Sequence, residues 1–155
     1  MNAFSVLIAA RDAGRTIQRA VASALVQHPA EILLVDDWSS DGTATLAASM
    51  SPTVRVVKPA EHRSLGFARQ VGLEASRTEY SLWLDSDDEL LPGRCERLAA
   101  ELARADADLV FDAAELVDGT TGARTGVLPI PGFLRRPPNL MRAFERNNLT
   151  AIGQV

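Results

Sequence analysis

Tyr80-Ser81-Leu82-Trp83-Leu84-Asp85-Ser86-Asp87-Asp88 joins an apolar run to a cluster of acids, and the order of the two decides the fold. The run Tyr80 to Leu84 has the length and apolarity of a strand buried on both faces. Its three following carboxylates then stand at the strand's C-terminal end. Open α/β sheets bind their ligands along that edge. Acids this close repel one another unless a positive charge lies between them. A hard divalent cation, Mg²⁺ or Mn²⁺, takes oxygen ligands of this kind together with substrate phosphates. The competing reading is a solvated turn whose Asp side chains cap the following helix, and this segment alone leaves both open.

Outward from that strand, the same alternation repeats. Phe4-Ser5-Val6-Leu7-Ile8-Ala9 reads as the first strand, Ile32-Leu33-Leu34-Val35 as the second and Val54-Arg55-Val56-Val57 as the third. Between them, Ile17, Ala20, Val21, Ala24 and Leu25 recur at helical spacing. Asp41 is placed to cap a helix ending near Met50, and Ser64 one that carries Phe67, Ala68, Val71 and Ala75. Pro92-Gly93 opens a helix with Cys95, Leu98, Ala99 and Leu102 on one face, and Asp108-Leu109-Val110-Phe111 reads as a fifth strand. This order predicts an α/β protein, a mainly parallel sheet with helices on both faces. After about Asp112 the pattern changes. Asp118-Gly119-Thr120-Thr121-Gly122 is a turn signal between two short extended pieces and predicts a hairpin. Pro129, Pro131, Pro137 and Pro138 predict irregular chain, followed by a short helix from about Asn139 to Arg146.

The 155 residues suffice for one domain with a real core. A net charge of −4 gives no broad electrostatic attraction to nucleic acid, so no nucleic-acid partner is expected. Cys95 is the single cysteine, which excludes an intrachain disulfide and leaves packing as its expected role. No stretch is long and apolar enough to span a bilayer, and the N-terminus lacks a basic segment followed by an apolar one. The expectation is a cytoplasmic location, with work close to a membrane left open. His62, in the loop after Pro59, reads as solvated, with substrate contact as the alternative.

Two other strand ends carry chemistry. Asp36-Asp37-Trp38-Ser39-Ser40-Asp41-Gly42-Thr43 follows the second strand, and Ala9-Ala10-Arg11-Asp12 closes the first. A carboxylate is a strong acceptor for a ribose hydroxyl or a base N–H. Capping alone explains either segment separately, but three strand ends converging on one crevice are harder to explain that way.

Together these segments make the chain resemble the nucleotide-binding half of a family 2 glycosyltransferase with the GT-A fold. Such proteins carry a Pro-x-Tyr-Asn or Pro-Ala-Arg-Asn segment where this chain has Ala9-Ala10-Arg11-Asp12. Their Val-Asp-Asp-x-Ser-x-Asp-Gly-Thr segment corresponds to Val35 through Thr43, with Trp38 where Gly is frequent. A Gly-x-x-x-Ala-Arg-like helix corresponds to Leu65 through Gly72, and an Asp-x-Asp-Asp-x-x-x-Pro segment to Asp85 through Pro92. The resemblance implies a Rossmann-like nucleotide-diphospho-sugar transferase fold, truncated at the acceptor side. It implies a single domain, with residues 1–112 as nucleotide-sugar-binding core and 113–155 as the start of the acceptor-side region.

The resemblance also implies roles. Ala9, Arg11, Asp36, Asp37, Arg69, Asp85 and Ser86 would bind the donor nucleotide. Asp87, with Asp85, would hold Mg²⁺ or Mn²⁺ on the donor diphosphate, and Asp88 would cap or orient. For Arg69 a surface ion pair is the alternative. Arg11 lies where many relatives have an aromatic, so base stacking would need another partner or the guanidinium itself. The implied reaction is inverting, metal-assisted transfer of a sugar from a nucleotide diphosphate to an acceptor hydroxyl on a glycan, a lipid or a small molecule. The catalytic base cannot be placed: residues 126–138 offer no acid, and Glu145 is isolated. The alternative function is a non-catalytic or truncated nucleotide-sugar-binding module. The apolar C-terminal region near Ile152 is a candidate for self-association into a homo-oligomer. A Rossmann dehydrogenase is disfavoured because Arg11-Asp12-Ala13-Gly14 is not a Gly-rich turn. A P-loop is disfavoured because the sole Lys, Lys58, lies elsewhere.

Overall fold

The computed structural model describes residues 4–105, 110 and 112–129. The expected strand at 108–111, apart from Val110, the helix at 139–146 and the apolar end near Ile152 lie outside the described residues. Strands β1 (Phe4–Ala10), β2 (Glu31–Asp36), β3 (Val54–Val57) and β4 (Tyr80–Trp83) form a parallel sheet in the order β3-β2-β1-β4. Helices α1 (Ile17–Leu25), α2 (Thr43–Met50) and α3 (Leu65–Ala75) make the crossovers, and α4 (Arg94–Ala105) follows β4. The mainly parallel α/β sheet expected from the alternation is present.

The faces follow from the direction of each crossover. From β1 to β3 the chain steps outward in one direction, and from β3 it returns across the sheet to β4. Right-handed crossovers in opposite directions put their helices on opposite faces. Alternate residues of each strand therefore enter two cores. Val6, Ile8, Ala10, Ile32 and Leu34 pack with Ile17, Val21 and Ala24 of α1, Ala47 of α2, and Cys95, Leu98 and Leu102 of α4. On the other face Ala9 and Val35 pack with Ala68 and Val71 of α3 and with Trp83. Helix α3 comes close to the sheet at Gly72, where a Cβ would stand 3.1 Å from both the Trp83 ring and Val35. Cys95 is buried in the first core, as its place on the apolar helix face predicts.

The edge of the sheet at the strands' N-terminal ends is tied by charge. Buried Glu31 accepts from the Ser5 hydroxyl at 2.8 Å, the Arg77 N–H at 2.8 Å and the Arg55 guanidinium at 2.9 Å. Burial raises the Glu31 carboxyl, but these donors outweigh it and the net shift is downward from 4.5. Beyond α4 the hairpin forms where the turn signal placed it. Strands β5 (Ala114–Val117) and β6 (Arg124–Leu128) pair antiparallel, and Asp118 Oδ1 accepts from the Thr120 and Thr121 N–H groups at 3.0 and 2.6 Å. The buried guanidinium of Arg94 grips Asp112 through two hydrogen bonds of 2.9 and 2.7 Å, so the start of α4 is tied to the chain that enters this hairpin.

The fold has one feature that positions a site. Strands β2 and β4 lie on either side of β1, reached by chain running in opposite directions. The loops leaving β1 and β4 both lead to helices of the first core, α1 and α4, whereas the loop leaving β3 leads to α3 on the opposite face, and all of them open along the C-terminal edge of the sheet. Residues 9–12, 36–43 and 85–88 all lie along this edge of the sheet.

Candidate functional site

The β1–α1 and β2–α2 loops are fastened to each other. Asp12 Oδ1 accepts from the Ser40 N–H at 2.8 Å and its hydroxyl at 3.1 Å, while the Asp12 N–H donates to Ser39 Oγ at 3.0 Å. Asp41 Oδ2 accepts from the Gly14 N–H at 2.7 Å, and Ala13 N–H donates to Thr43 Oγ1 at 2.8 Å. Ser39, Ser40, Asp41 and Thr43 thus build the loop junction. Asp41 was expected as the cap of α2. Gly42, with φ of 84°, occupies that position instead, and Asp41 accepts from the Thr43 N–H at 3.1 Å. Ser64 does cap α3, accepting from the Phe67 N–H at 3.2 Å.

Two acids end β2 and both are buried. Asp36 accepts from the Ser39 N–H at 3.2 Å. The Asp37 N–H extends the β1 pairing to Ala10 O at 2.8 Å, and its Oδ2 is bonded to His62 Nδ1 at 2.8 Å. Arg11 Nη1 meets the other ring nitrogen, Nε2, of His62. Asp37 Oδ1 is buried with no hydrogen-bond partner among the described residues. Trp38 follows with φ of 64°, in the left-handed region where Gly is favoured. Its Nε1 donates to Pro59 O at 3.1 Å, and Lys58 Nζ lies 4.2 Å from its ring centre.

Across β1, the Leu84 N–H prolongs β4 by donating to Leu7 O at 3.0 Å, so the acids start directly at the strand end. Asp85 accepts from Arg69 Nη2 at 2.9 Å, with the same guanidinium 5.6 Å from the Trp83 ring centre. The Asp88 N–H donates to Asp85 O at 3.1 Å, closing the acids into a turn. Burial pushes the Asp85 carboxyl up, the Arg69 charge and hydrogen bond pull it down, and the net shift is upward. Asp88 is raised by burial first and then by repulsion from Asp87 and Asp85. Asp87 itself is exposed. A cleft of about 850 Å³ opens beside these acids, walled by Asp85, Asp87 and Asp88 on one side and by Leu116, Asp118 and Thr121 of the hairpin on the other.

Along this edge of the sheet Arg11, Asp36 and Asp37 stand at the ends of β1 and β2, and Asp85, Ser86 and Asp87 stand beyond β4 on the other side of β1, where Arg69 of α3 reaches Asp85. Ala9 is different: the residue is 7% exposed and packs in the α3-side core. Arg69 makes the ion pair that was its alternative reading. His62, read as solvated loop, is instead anchored on Asp37, a pairing that local sequence cannot signal because it depends on β3 lying next to β2. Among the described residues, no three Asp, Glu, His or Cys side chains stand together as a cation site. The acids at the β4 end nevertheless fit a hard cation that takes part of its ligands from a substrate. Their donors are all carboxylate oxygens, and their mutual repulsion is only partly offset by Arg69. Among the described residues, no helix is long and apolar enough to cross a membrane.

Residues 5–154 match the family profile described as Glycosyl transferase family 2. The chain belongs to glycosyl transferase family 2. Among curated relatives of this family 2 chain, the succinoglycan biosynthesis protein ExoO of Rhizobium meliloti (strain 1021) is 36% identical over 146 residues, covering 92% of this chain and 42% of the relative. The succinoglycan biosynthesis protein ExoU of the same organism is 33% identical over 122 residues, covering 76% and 35%. The chain thus spans less than half the length of these relatives. In structure it is similar to S. aureus TarS 1-349 in complex with UDP-GlcNAc, with a TM-score of 0.65 at 20% identity over 79% of this chain and 37% of that one. It is also similar to GalNAc-T7 with UDP, GalNAc and Mn2+, with a TM-score of 0.63 at 22% identity over 85% and 26%. At these identities the likeness shows the fold, a GT-A glycosyltransferase fold.

Proposed function

We propose that this chain holds the donor of a glycosyl transfer: a nucleotide-diphosphate sugar lying along the sheet edge from the end of β2 across β1 to the end of β4. The observation that carries this reading is the placement of buried Asp36 and Asp37 at the end of β2 and of residues 85–88 at the end of β4, on the two sides of β1 along one sheet edge, in a family 2 chain. Solved structures of the same fold contain UDP-GlcNAc or UDP with Mn2+, which supports a nucleoside diphosphate as the ligand class.

In this reading Asp36 and Asp37 accept hydrogen bonds from ribose or base, and Arg11 faces the base. Asp85 and Ser86 meet the donor near the ribose. Arg69 holds Asp85 in place and presents its remaining N–H groups toward the diphosphate. Asp87, with Asp85, holds Mg²⁺ or Mn²⁺. That ion supplies Lewis-acid neutralisation of the leaving diphosphate. Residues 1–112 form the donor-binding core, and the chain from 113 onward begins the acceptor side, with the cleft beside the hairpin as the acceptor's approach. The transfer to an acceptor hydroxyl is assigned as inverting, and no described residue is assigned as its base.

The test is isothermal titration of the chain with UDP, GDP and dTDP, each with and without Mn²⁺. Metal-dependent binding of one of them supports the donor site; no binding of any of them under either condition removes it. A turnover assay with the matching sugar nucleotide then separates transfer from binding alone.

A further inference from the structure

Arg11 and His62 meet over the end of β2, although they come from opposite sides of it. Arg11 leaves β1, and His62 sits in the loop after β3; the order β3-β2-β1 lets them touch above Asp37. The hydrogen-bond chemistry of this chain of three is directional. The Asp37 carboxylate only accepts, so the His62 proton sits on Nδ1 and is donated to Oδ2. Nε2 is then a lone-pair acceptor, and a guanidinium, which only donates, matches it. Neutral imidazole thus links a buried anion to an exposed cation, whereas an imidazolium would set N–H against N–H. Arg11 is also drawn from its other side by Asp12, whose Oδ2 lies 3.9 Å from Nε.

The loop that carries His62 is itself pinned. Trp38 holds it by its indole hydrogen bond to Pro59 O and by its ring under Lys58, from a backbone conformation that a bulky residue rarely adopts. A side chain kept at φ of 64° in place of the less strained Gly indicates that this loop's position is held at a cost.

Resting on the donor reading above, we infer that His62 is a positioning residue that sets the Arg11 guanidinium as a flat stacking surface for the nucleobase. A guanidinium stacks on aromatic faces through its planar, weakly hydrated surface. Arg11 is half-exposed and so open to a ligand, while His62 and Asp12 restrict its rotamers. The ordering entropy of a long side chain is then met before the base arrives.

The test compares ligands that have a base with one that lacks it. Binding of UDP, GDP and dTDP and of inorganic pyrophosphate, all with Mn²⁺, is measured for the parent chain, His62→Ala and His62→Gln. The Gln carbonyl oxygen replaces Nε2 as the acceptor for Arg11. Thermal melting confirms that the variants fold, as expected for a side chain at an exposed loop. For the nucleotide that the parent binds most tightly, His62→Ala is expected to weaken binding by ~10-fold, the scale of one lost charge-assisted hydrogen bond. Pyrophosphate binding stays within ~2-fold, because the phosphate end makes no use of the stacking surface, and His62→Gln regains most of the loss. Unchanged nucleotide affinity in His62→Ala, or equal weakening for nucleotide and pyrophosphate, overturns the inference while the donor site stands. If the parent binds no nucleotide, the donor reading fails and this inference falls with it.

Discussion

Arg69 Nη2 lies 2.9 Å from Asp85 Oδ1, so one acid at the end of β4 is charge-matched from within the fold. The pair joins α3 to the segment that follows β4, and both partners are mostly shielded from solvent. Arg69→Met keeps the stem and removes the charge. It is expected to destabilise the chain by ~1–3 kcal/mol, because a partly buried carboxylate loses its partner. Urea unfolding of parent and variant measures this; equal midpoints would show that the pair contributes nothing.

Gly14 is confined by its neighbour. A Cβ there would stand 2.9 Å from Asp41 Oδ2, the atom that accepts the Gly14 N–H. Gly14→Ala is expected to cost ~1–3 kcal/mol through this overlap and the loss of the loop junction. The double variant Gly14→Ala with Asp41→Ala should lose less than the sum of the two single changes, since either one breaks the same contact. Strict additivity would contradict the account of residues 39–43 as a junction.

Trp38 separates backbone strain from side-chain contact. Trp38→Ala loses the Pro59 and Lys58 contacts and keeps a Cβ at φ of 64°. Trp38→Gly loses the same contacts but relaxes the backbone. The Gly variant should therefore be the more stable of the two, by ~1 kcal/mol, read from their melting temperatures. A more stable Ala variant would contradict the strain.

The polar edge at the strands' N-terminal ends gives a pH dependence. Glu31 has its folded value lowered below 4.5, so the folded state binds its proton less readily than the unfolded chain. Its contribution is fully present above 4.5 and is lost as the pH falls through the lower folded value. Glu31→Gln should cost ~1–3 kcal/mol at neutral pH, the scale of hydrogen bonds to a charged group. Parent and variant should converge as the pH drops well below 4.5. A constant gap across that range would show that ionisation of Glu31 is irrelevant to stability.

Strands, their order of alternation and the hairpin were legible because each rests on local pattern: the continuous apolar run of β2, the helical spacing of α1 and the turn at Asp118. The acid segments were legible as candidates because strand ends are visible in sequence. What local pattern could not show was partnership across the sheet. Arg69 had two open readings until α3 was seen to lie over the β1–β2 face, where its guanidinium reaches Asp85. His62 looked solvated because nothing near it in sequence pairs with it; its partners lie 25 and 51 residues away. Ala9 was grouped with the donor site by its place in a motif, whereas strand alternation turns its methyl into the core. Asp41, read as a helix cap, instead joins two loops together with Ser39 and Ser40, because β1 and β2 are neighbours in register.

The central claim is that a nucleoside diphosphate binds at the acid edge of β4 with a divalent cation held by Asp87. Titration of Asp87→Asn beside the parent, with UDP, GDP and dTDP in the presence and absence of Mn²⁺, tests it most directly. Asp87 is exposed, so the variant should fold as the parent does. The account predicts that Mn²⁺ strengthens binding of one nucleotide to the parent and that Asp87→Asn abolishes this gain while leaving metal-free affinity little changed. An equal Mn²⁺ gain in parent and variant, or no nucleotide binding to the parent at all, would contradict it.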